Sequence, residues 1–242
     1  MRDIEQIIKE NLKTTGGQDG YAGKVVAFVH AKGSSTRVPS KNLKILGDKP
    51  LFCHAITHAK EASMVDAVVI DSDSDEIIAL GMEYGAIPLK RPDELATNLA
   101  TGDDLAYWQA SNYPESKIVL QVIPTAPFLS SQSIDKAIQL LLDNPEVESV
   151  AGVYEEALYT WTDGKPDYYN SNGTIPNSFE LKKTMYETTG LYVNDTRAVL
   201  RTHRRLNPQN CLPYVLNKLE TVDINTLEDF AFAELLWKGL HV

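Results

Sequence analysis

The chain has 242 residues, 43% of them hydrophobic and 23% charged, so it is long enough to bury one sizeable core and has the composition of a globular protein. Its formal net charge of −10 argues against nucleic acid or an anionic membrane surface as a general partner. No apolar run is long enough to span a membrane, and charged residues interrupt the beginning of the chain where a signal peptide would be apolar. Cys53 and Cys211 lack metal-site spacing, so we expect free thiols and a cytoplasmic protein.

The first 23 residues form a predicted appendage to the main domain. Ile4, Ile7, Ile8 and Leu12 recur at helical spacing, which predicts a short helix over residues 1–13. The ten residues that follow contain four glycines and indicate a flexible link. We therefore expect a helical appendage and linker at residues 1–23 and a single domain over residues 24–242.

From residue 24 onward, strand patterns and helix patterns alternate. Apolar runs predict strands at residues 25–30, 67–71, 87–89, 118–123 and 149–153. Helical periodicity predicts helices at residues 51–62, 74–84, 103–111 and 133–142. Asp73 or Ser74 is the expected cap of the second helix, and Ser133 that of the fourth. This alternation favours a mainly parallel sheet covered by helices on both faces, with ligands at the carboxyl ends of the strands.

The loop after the first predicted strand has the composition of an anion-binding site. Gly33, Ser34 and Ser35 allow the backbone to curl closely around a ligand, with successive N–H groups directed at it. Three cations flank these small residues and suit a polyphosphate: Lys32, Arg37 and Lys41. The spacing matches neither the P-loop pattern nor the dinucleotide-binding pattern, so a solvated basic loop is an open alternative on composition alone.

The regular alternation stops after the fifth predicted strand. Residues 155–189 contain hairpin and loop signals, including WTDGKP at residues 161–166, and form a predicted insertion. Beyond it we predict a strand at residues 190–193, a short helix at residues 196–202, a strand at residues 214–219 and a closing helix at residues 226–239 capped by Thr226.

The loop after the first strand also resembles a family signature. Nucleotidyltransferases that make CMP-activated acidic sugars carry a loop of the form A-R-x-G-S-K-x-[IL]-P-x-K-N-[IL], and residues 31–43 here are AKGSSTRVPSKNL. Four further segments match that family in the same order: LGDKPL at residues 46–51, KRPDELA at 90–96, PTAP at 124–127 and TVDIN at 221–225. On these motifs the chain resembles the acylneuraminate cytidylyltransferase family, including its relatives that act on other nonulosonic acids.

The resemblance implies a fold, a reaction and partners. The implied fold is a Rossmann-like, three-layer α/β nucleotidyltransferase fold with a mainly parallel sheet. In that family the insertion reaches across to a second subunit, so the resemblance implies a homodimer. The implied reaction transfers CMP from CTP to an acidic α-keto sugar, sialic acid or a related nonulosonic acid, and releases pyrophosphate. Mg²⁺ is the implied cofactor.

The resemblance also assigns roles to individual residues. The residues implied to be catalytic are Lys32, Arg37, Lys41 and Asp223. Those implied to bind the nucleotide are Ala31, Lys32, Gly33, Ser34, Ser35, Lys41, Asn42, Arg91, Pro124 and Thr125. Those implied to bind the acceptor are Gln121, Lys183, Tyr186 and Glu187. Because Glu187 lies where the family often has an arginine for the acceptor's carboxylate, other cations are possible substitutes: Lys182, Lys183, Arg204 and Arg205.

The expected metal site consists of Asp223 and Asn225. Alternate residues of an extended segment face the same side, so these two side chains should point together. Their oxygens suit Mg²⁺, which keeps several waters and takes other ligands from phosphates. The family usually has a second aspartate at position 225, so weaker or water-mediated binding is expected here. The alternative is that Asp223 only orients the last helix.

Several alternatives stay open on the sequence. Asp71 and Asp73 fit the D-x-D metal motif of nucleotide-sugar glycosyltransferases, although a structural role at the strand end is favoured. Gly102, Ile123 and Glu187 depart from the family pattern, as Asn225 does, and leave room for a nucleotide-binding protein that has lost catalysis. The acceptor could instead be 3-deoxy-octulosonate or a phosphonate. Isolated histidines such as His30 and His54 are more often structural than catalytic.

Overall fold

The computed structural model describes Gln6, residues 20–167 and residues 173–241. Apart from Gln6, the predicted helix over residues 1–13 lies outside the described residues, as does most of the predicted link. The strands in chain order are β1 (Val25–His30), β2 (Ile45–Leu46), β3 (Lys49–Pro50), β4 (Ala67–Ser72), β5 (Ile87–Lys90), β6 (Ile118–Val122), β7 (Ser149–Glu156), β8 (Trp161–Thr162), β9 (Lys165–Pro166), β10 (Thr184–Asp195) and β11 (Cys211–Val215). The helices are α1 (Leu51–Glu61), α2 (Asp75–Glu83), α3 (Gly102–Asn112), α4 (Ser131–Asp143), α5 (Thr196–Thr202) and α6 (Leu227–Leu240).

Seven of the strands form one sheet in the order β11-β7-β10-β6-β1-β4-β5. β1 pairs in parallel with β4 and β6, and β4–β5 and β11–β7 are also parallel pairs, whereas β10 runs antiparallel to both β6 and β7. The predicted mainly parallel sheet is confirmed. The chain moves outward from β1 to β4 and β5 and then returns to place β6 on the other side of β1. This reversal makes the carboxyl end of β1 a topological switch point, where open α/β sheets form their ligand crevice.

The two faces of the sheet pack against different helices, as apolar strands predict. On one face, Ala27 and Val29 of β1 belong to a buried cluster that includes residues of α1, α2 and α4. On the other face, Val26 and Phe28 belong to a second cluster with residues of α3 and α5. Because alternate side chains of a strand point to opposite faces, β1 has to be apolar at every position to be covered on both sides. The result is the expected three-layer arrangement.

The observed N-caps agree with the predicted ones for two helices and differ for a third. Ser74 caps α2, and Thr226 caps α6 in a capping box with Asp229, both as predicted. The predicted cap Ser133 is wrong, because α4 begins earlier and its cap is Ser130, whose Oγ accepts from the Ser133 N–H at 3.1 Å. The two serines are equally good caps by residue type, so the sequence could not choose between them.

The predicted strand at residues 214–219 is wrong in its bounds. β11 covers Cys211–Val215 and pairs in parallel with β7, and Leu219–Thr221 is a 3₁₀ turn. Pro213 obscured the strand, since proline is usually excluded from a sheet interior. β11 tolerates it because it is the edge strand of the sheet.

The predicted insertion emerges from an extension of β7 and β10. The pairing of these two strands continues from Glu187 opposite Val153 to Thr184 opposite Glu156, and the small β8–β9 hairpin lies between them. Large apolar side chains are exposed on this segment, among them Trp161, Ile175 and Phe179. In the ranges that the structure describes, none of the helices combines the length and apolar character needed to cross a bilayer.

Candidate functional site

A cleft of about 360 Å³ lies among the loops that follow β1, β5 and β6. Eight of the ten predicted nucleotide-binding residues line it: Lys32, Ser34, Ser35, Lys41, Asn42, Arg91, Pro124 and Thr125. Arg37, predicted to be catalytic, also lines the cleft, as does His30 at the end of β1. Of the other two predicted residues, Ala31 is fully buried, and its N–H donates to the carbonyl of Asp71 at 3.0 Å. The cleft lies at the switch point, where the topology places a ligand site.

Gly33 is required by close packing within the protein. Its N–H donates to the Asp73 carboxylate at 2.9 Å, so this amide is already engaged inside the protein. A Cβ at this position would lie 2.9 Å from the Cβ of Ser74. The glycine therefore allows the loop to pack closely against the residues that follow β4. Its expected contribution of an N–H to an anion cradle does not agree with this geometry.

The rest of the loop is fixed by a buried amide. The side chain of Asn42, which is almost fully buried, donates from Nδ2 to the carbonyl oxygen of Lys32 at 2.8 Å. Asn42 belongs to a short 3₁₀ turn, Lys41–Leu43, that follows the loop. This bond ties the two ends of the loop together across the small residues. Ser34 and Ser35 lie in the loop between these two ends and line the cleft.

The three cations of the loop lie around one cleft. Lys32 donates from Nζ to the Asn98 side chain at 2.8 Å, which spans the cleft from the β1 loop to the segment after β5. Lys41 is half-buried and donates from Nζ to the carbonyl of Ile224 at 2.8 Å. Burial lowers the pKa of Lys41, and the positive charge of Arg37 lowers it further, while the charges of Asp223 and Asp229 act in the opposite direction. An anion between these cations would relieve their repulsion.

Residues 223–225 are held against this cleft by the backbone of Ile224. The Ile224 N–H donates to the carbonyl of Thr125 at 2.9 Å, its carbonyl accepts from Lys41, and its side chain is fully buried. Asp223 and Asn225 flank it on an extended segment, and the Asn225 Nδ2 group donates to the Asp223 carboxylate. The two side chains therefore point together, as expected. Asp223 also lines a neighbouring, mostly apolar groove of about 550 Å³ that includes Leu219 and Phe232.

The donors at residues 223–225 fit a Mg²⁺ ion only in part. One carboxylate oxygen of Asp223 accepts from Asn225, so the amide is turned toward the carboxylate. The nearby Asp229 carboxylate accepts the N–H groups of Asn225 and Thr226 at 2.9 and 2.7 Å, which lowers its pKa and commits it to the start of α6. Across the described ranges, no three His, Cys, Asp or Glu residues group as metal ligands. This chemistry suits a Mg²⁺ ion that takes most of its ligands from phosphate and water.

A buried polar network underlies the cleft. Arg91 donates from Nε to the Asp71 carboxylate at 2.9 Å, and the two side chains are 3% and 0% exposed. Gln109 donates to the same carboxylate at 2.8 Å, and Gln121 donates to the Gln109 side-chain oxygen at 2.9 Å. Both carboxylate oxygens of Asp71 are thus engaged away from solvent. These contacts agree with the favoured structural role of Asp71 at the strand end and engage the oxygens that the D-x-D alternative would use for a metal ion.

His30 is a cleft residue that sequence reasoning set aside. Its Nδ1 is buried without a hydrogen-bond partner among the described residues. Burial lowers the pKa of His30 to about 3, and the charges of Arg91 and Arg205 contribute. The imidazole is therefore neutral at physiological pH and too weak a base to take a proton from a hydroxyl group. Its place at the last position of β1, beside the loop, was the signal available in the sequence.

The four predicted acceptor-binding residues do not line the cleft. Gln121 is 2% exposed and lies behind it in the buried network, with Oε1 unpartnered among the described residues. Lys183 pairs with Glu155 at 2.9 Å at the base of the insertion. Tyr186 packs edge-on against Tyr154, and Glu187 accepts from the Tyr192 hydroxyl at 2.8 Å. Tyr186 and Glu187 lie in the first half of β10 and Lys183 directly precedes that strand, which leads toward the cleft from the insertion.

Comparison with known proteins gives a family and a set of relatives. A family model described as cytidylyltransferase matches residues 26–207. The CMP-N,N'-diacetyllegionaminic acid synthase of Legionella pneumophila is 28% identical over 233 residues, which cover 88% of this chain and 96% of that protein. The pseudaminic acid cytidylyltransferase of Campylobacter jejuni is 25% identical over 229 residues, covering 90% of this chain and 98% of the relative.

Comparison with solved structures agrees with the sheet topology. The structure of CMP:2-keto-3-deoxy-manno-octonic acid synthetase complexed with CTP superposes with a TM-score of 0.68, covering 90% of this chain and 100% of that one. The sequence identity is 14%, so this likeness concerns the fold alone. The predicted Rossmann-like nucleotidyltransferase fold is confirmed.

Proposed function

The chain belongs to the cytidylyltransferase family, and on that premise we propose that it transfers CMP from CTP to an acidic α-keto sugar of the nonulosonic acid class. The relatives from Legionella pneumophila and Campylobacter jejuni, whose names specify legionaminic and pseudaminic acid, support this class of acceptor. Both relatives align over almost their whole length. The same relationship favours an enzyme over a binding protein that has lost catalysis.

One observation carries the proposal: Lys41 joins the two halves of the site. It lines the cleft together with Lys32 and Arg37, and its ammonium group donates to the carbonyl of Ile224, next to Asp223. The cationic loop and the acidic segment therefore meet, although they are separated by 183 positions in the sequence. A triphosphate between them would be attracted by three positive charges at one side and have a carboxylate at the other. The backbone N–H groups of Ser34 and Ser35 are the proposed anion cradle.

The chemistry follows from this arrangement. The anomeric hydroxyl oxygen of the acceptor attacks the α-phosphorus in line and forms the new phosphodiester. The bond from that phosphorus to the bridging oxygen breaks, and pyrophosphate leaves with the electron pair. The hydroxyl proton passes to solvent. Lys32, Arg37 and Lys41 offset the negative charge of the departing pyrophosphate, so positioning and electrostatics supply the rate enhancement.

Mg²⁺ is the proposed cofactor. Asp223 would hold it, with Asn225 as a second oxygen ligand once its amide turns over, and the phosphates and water would complete the shell. When bound, the ion neutralises phosphate charge. Asp223→Ala should abolish turnover while the midpoint of urea unfolding is kept, and Glu228→Ala, on the exposed first turn of α6, should have no effect. Full activity of Asp223→Ala would remove this residue from the site.

A pyrophosphate-release screen tests the proposed function. It pairs each of the four ribonucleoside triphosphates with sialic, legionaminic, pseudaminic, keto-deoxy-nononic and 3-deoxy-octulosonic acids. Release with CTP and a nonulosonic acid is the expected result. Release only with 3-deoxy-octulosonic acid would move the acceptor to the alternative class. No release with any pair would leave a nucleotide-binding protein as the better description.

Assembly and location complete the proposal. A homodimer would bury the exposed apolar side chains of the insertion, including Trp161 and Phe179. Two free cysteines, one of them buried, agree with a reducing cytoplasm. Sedimentation analysis of the wild type against Trp161→Ser/Phe179→Ser should give a dimer and a monomer, and a monomeric wild type would contradict the assembly.

A further inference from the structure

Arg205 presents an unpaired guanidinium group near the cleft. Its Cζ lies over the Tyr192 ring, 4.2 Å from the ring centroid, in a cation–π contact. Its backbone N–H donates to the Asp103 carboxylate at 3.0 Å, which anchors this loop residue to the first turn of α3. Within the part of the chain that the structure describes, the guanidinium group forms no ion pair and no hydrogen bond. A guanidinium held by its face leaves its edge, with its N–H donors, free for a ligand.

Gly102 provides the space for this side chain. A Cβ at position 102 would lie 2.3 Å from Nη1 of Arg205 and 2.5 Å from its Cζ. Any other residue here would push the guanidinium away from the Tyr192 ring. The glycine at the start of α3 and the arginine 103 positions later therefore form one feature.

Arg205 lies where the end of the segment after β5, at Gly102, meets Tyr192 of β10. The segment after β5, with Arg91 and Asn98, lines the cleft on one side of β1. Tyr192 lies on β10 and pairs with Gln121 of β6, on the other side of β1. If the phosphates lie at the β1 loop and the nucleoside on the β5 side, the second substrate has to approach from the β6–β10 side.

The guanidinium of Arg205 packs against Gly102, two positions after Ala100, which lines the cleft. His30 lines the cleft, and the charge of Arg205 is one of the causes that lower the pKa of His30. The buried Nδ1 of His30 also has no partner among the described residues, which indicates a polar group to be met at this end of the cleft. Two other candidate cations are already engaged, since Arg91 is paired with Asp71 and Lys183 with Glu155.

We propose that Arg205 binds the carboxylate of the acidic acceptor, by a forked contact from the edge of the guanidinium that stacks on Tyr192. This assignment rests on the proposed function. It replaces Lys183, whose ammonium group pairs with Glu155 at the base of the insertion. Glu187, bonded to the Tyr192 hydroxyl, then lies on the same side and is available to accept from hydroxyl groups of the sugar.

Steady-state kinetics of Arg205→Gln test the assignment. The acceptor is the acid among N-acetylneuraminic, legionaminic and pseudaminic acids that the wild type uses fastest, together with its methyl ester. Arg205→Gln should raise the KM for the acid by about 10- to 100-fold, the value of a charge-assisted contact, while the KM for CTP and the urea midpoint stay unchanged. The methyl ester, which has no negative charge, should be used equally poorly by the wild type and the variant. Arg205→Lys, which keeps the charge and loses the fork, should lie between them.

Two further variants make the result specific. Arg197→Gln removes an exposed arginine from α5 and should leave both KM values unchanged. Gly102→Ala leaves residue 205 as arginine but should also raise the acceptor KM, because the new Cβ would displace the guanidinium group of Arg205. An unchanged acceptor KM in Arg205→Gln, an equal loss with acid and ester, or a loss confined to the KM for CTP would each overturn the assignment and leave the proposed function standing. No release by the wild type with any of the acids would overturn both.

Discussion

Replacing Asp71 by asparagine would test the buried network beneath the cleft. The Asp71 carboxylate is 0% exposed and accepts from Arg91 Nε at 2.9 Å and from Gln109 Nε2 at 2.8 Å. Asparagine keeps the shape of the side chain and removes its charge. The substitution therefore asks what the negative charge contributes to the fold.

The magnitude follows from which partners can adapt. Gln109 can rotate its amide to accept from the new asparagine, and Gln121 can rotate in turn, so the hydrogen bonds of the chain of amides are recoverable. The Arg91 side chain, which is 3% exposed, would keep its positive charge with no carboxylate to pair with. Removing one partner of a buried ion pair costs about 3–5 kcal/mol. For a chain of this length, that corresponds to a fall in Tm of roughly 6–20 °C.

Urea unfolding followed by fluorescence measures this loss. Asp75→Asn is the matched control from the same DSDSD stretch, because the Asp75 side chain is 91% exposed and its ion pair with Lys90 is on the surface. The control should unfold at the wild-type midpoint. If Asp71→Asn unfolded at the same midpoint as the control, the reasoning about the buried charge would be refuted. A loss of Mg²⁺-dependent activity without a loss of stability would instead favour a metal-ligand role for Asp71.

The remaining predictions concern packing and pH. Gly33→Ala should destabilise the protein by about 1–3 kcal/mol in urea, because the new Cβ would lie 2.9 Å from that of Ser74. Gly239→Ala, whose Cβ would meet nothing within 4 Å on α6, should stabilise it by about 0.5–1 kcal/mol; equal effects of the two changes would contradict this explanation. His30 has a pKa of about 3 in the folded state against an ordinary value of 6.5, so as the pH falls the unfolded state binds the proton first. Stability should therefore fall from pH 6.5 toward pH 3, by up to about 1.4 kcal/mol per pH unit, and His30→Gln should flatten the fall between pH 6.5 and 5; parallel curves would argue against it.

The sequence predicted the parts of the fold that depend on local pattern. Continuous apolar runs located β1, β4, β5, β6 and β7, because a strand buried on both faces needs apolar residues at nearly every position. Small residues beside cations located the loop after β1. The bounds of the edge strand β11 were predicted wrongly, because Pro213 weakens the strand pattern of the sequence. A proline is acceptable there only because β11 lies at the edge of the sheet.

Features that depend on contacts distant in sequence could not be predicted. Gly33 is required by the approach of Ser74, and Gly102 by the guanidinium of Arg205. Both glycines looked like departures or ligand contacts when only their neighbours in sequence were known. Arg205 itself was one of several possible cations, and only its stacking on Tyr192 separates it from Lys183.

Calorimetric titration of CTP into Lys41→Met tests the central claim most directly. Lys44→Met is the control, because Lys44 is exposed and its ammonium group lies 4.8 Å from the centroid of the Phe230 ring. Loss of the half-buried Lys41 ammonium should weaken CTP binding by about 10- to 100-fold with the unfolding midpoint retained, while the control binds as the wild type does. Equal CTP affinity in the wild type and Lys41→Met would contradict a phosphate site at this cleft.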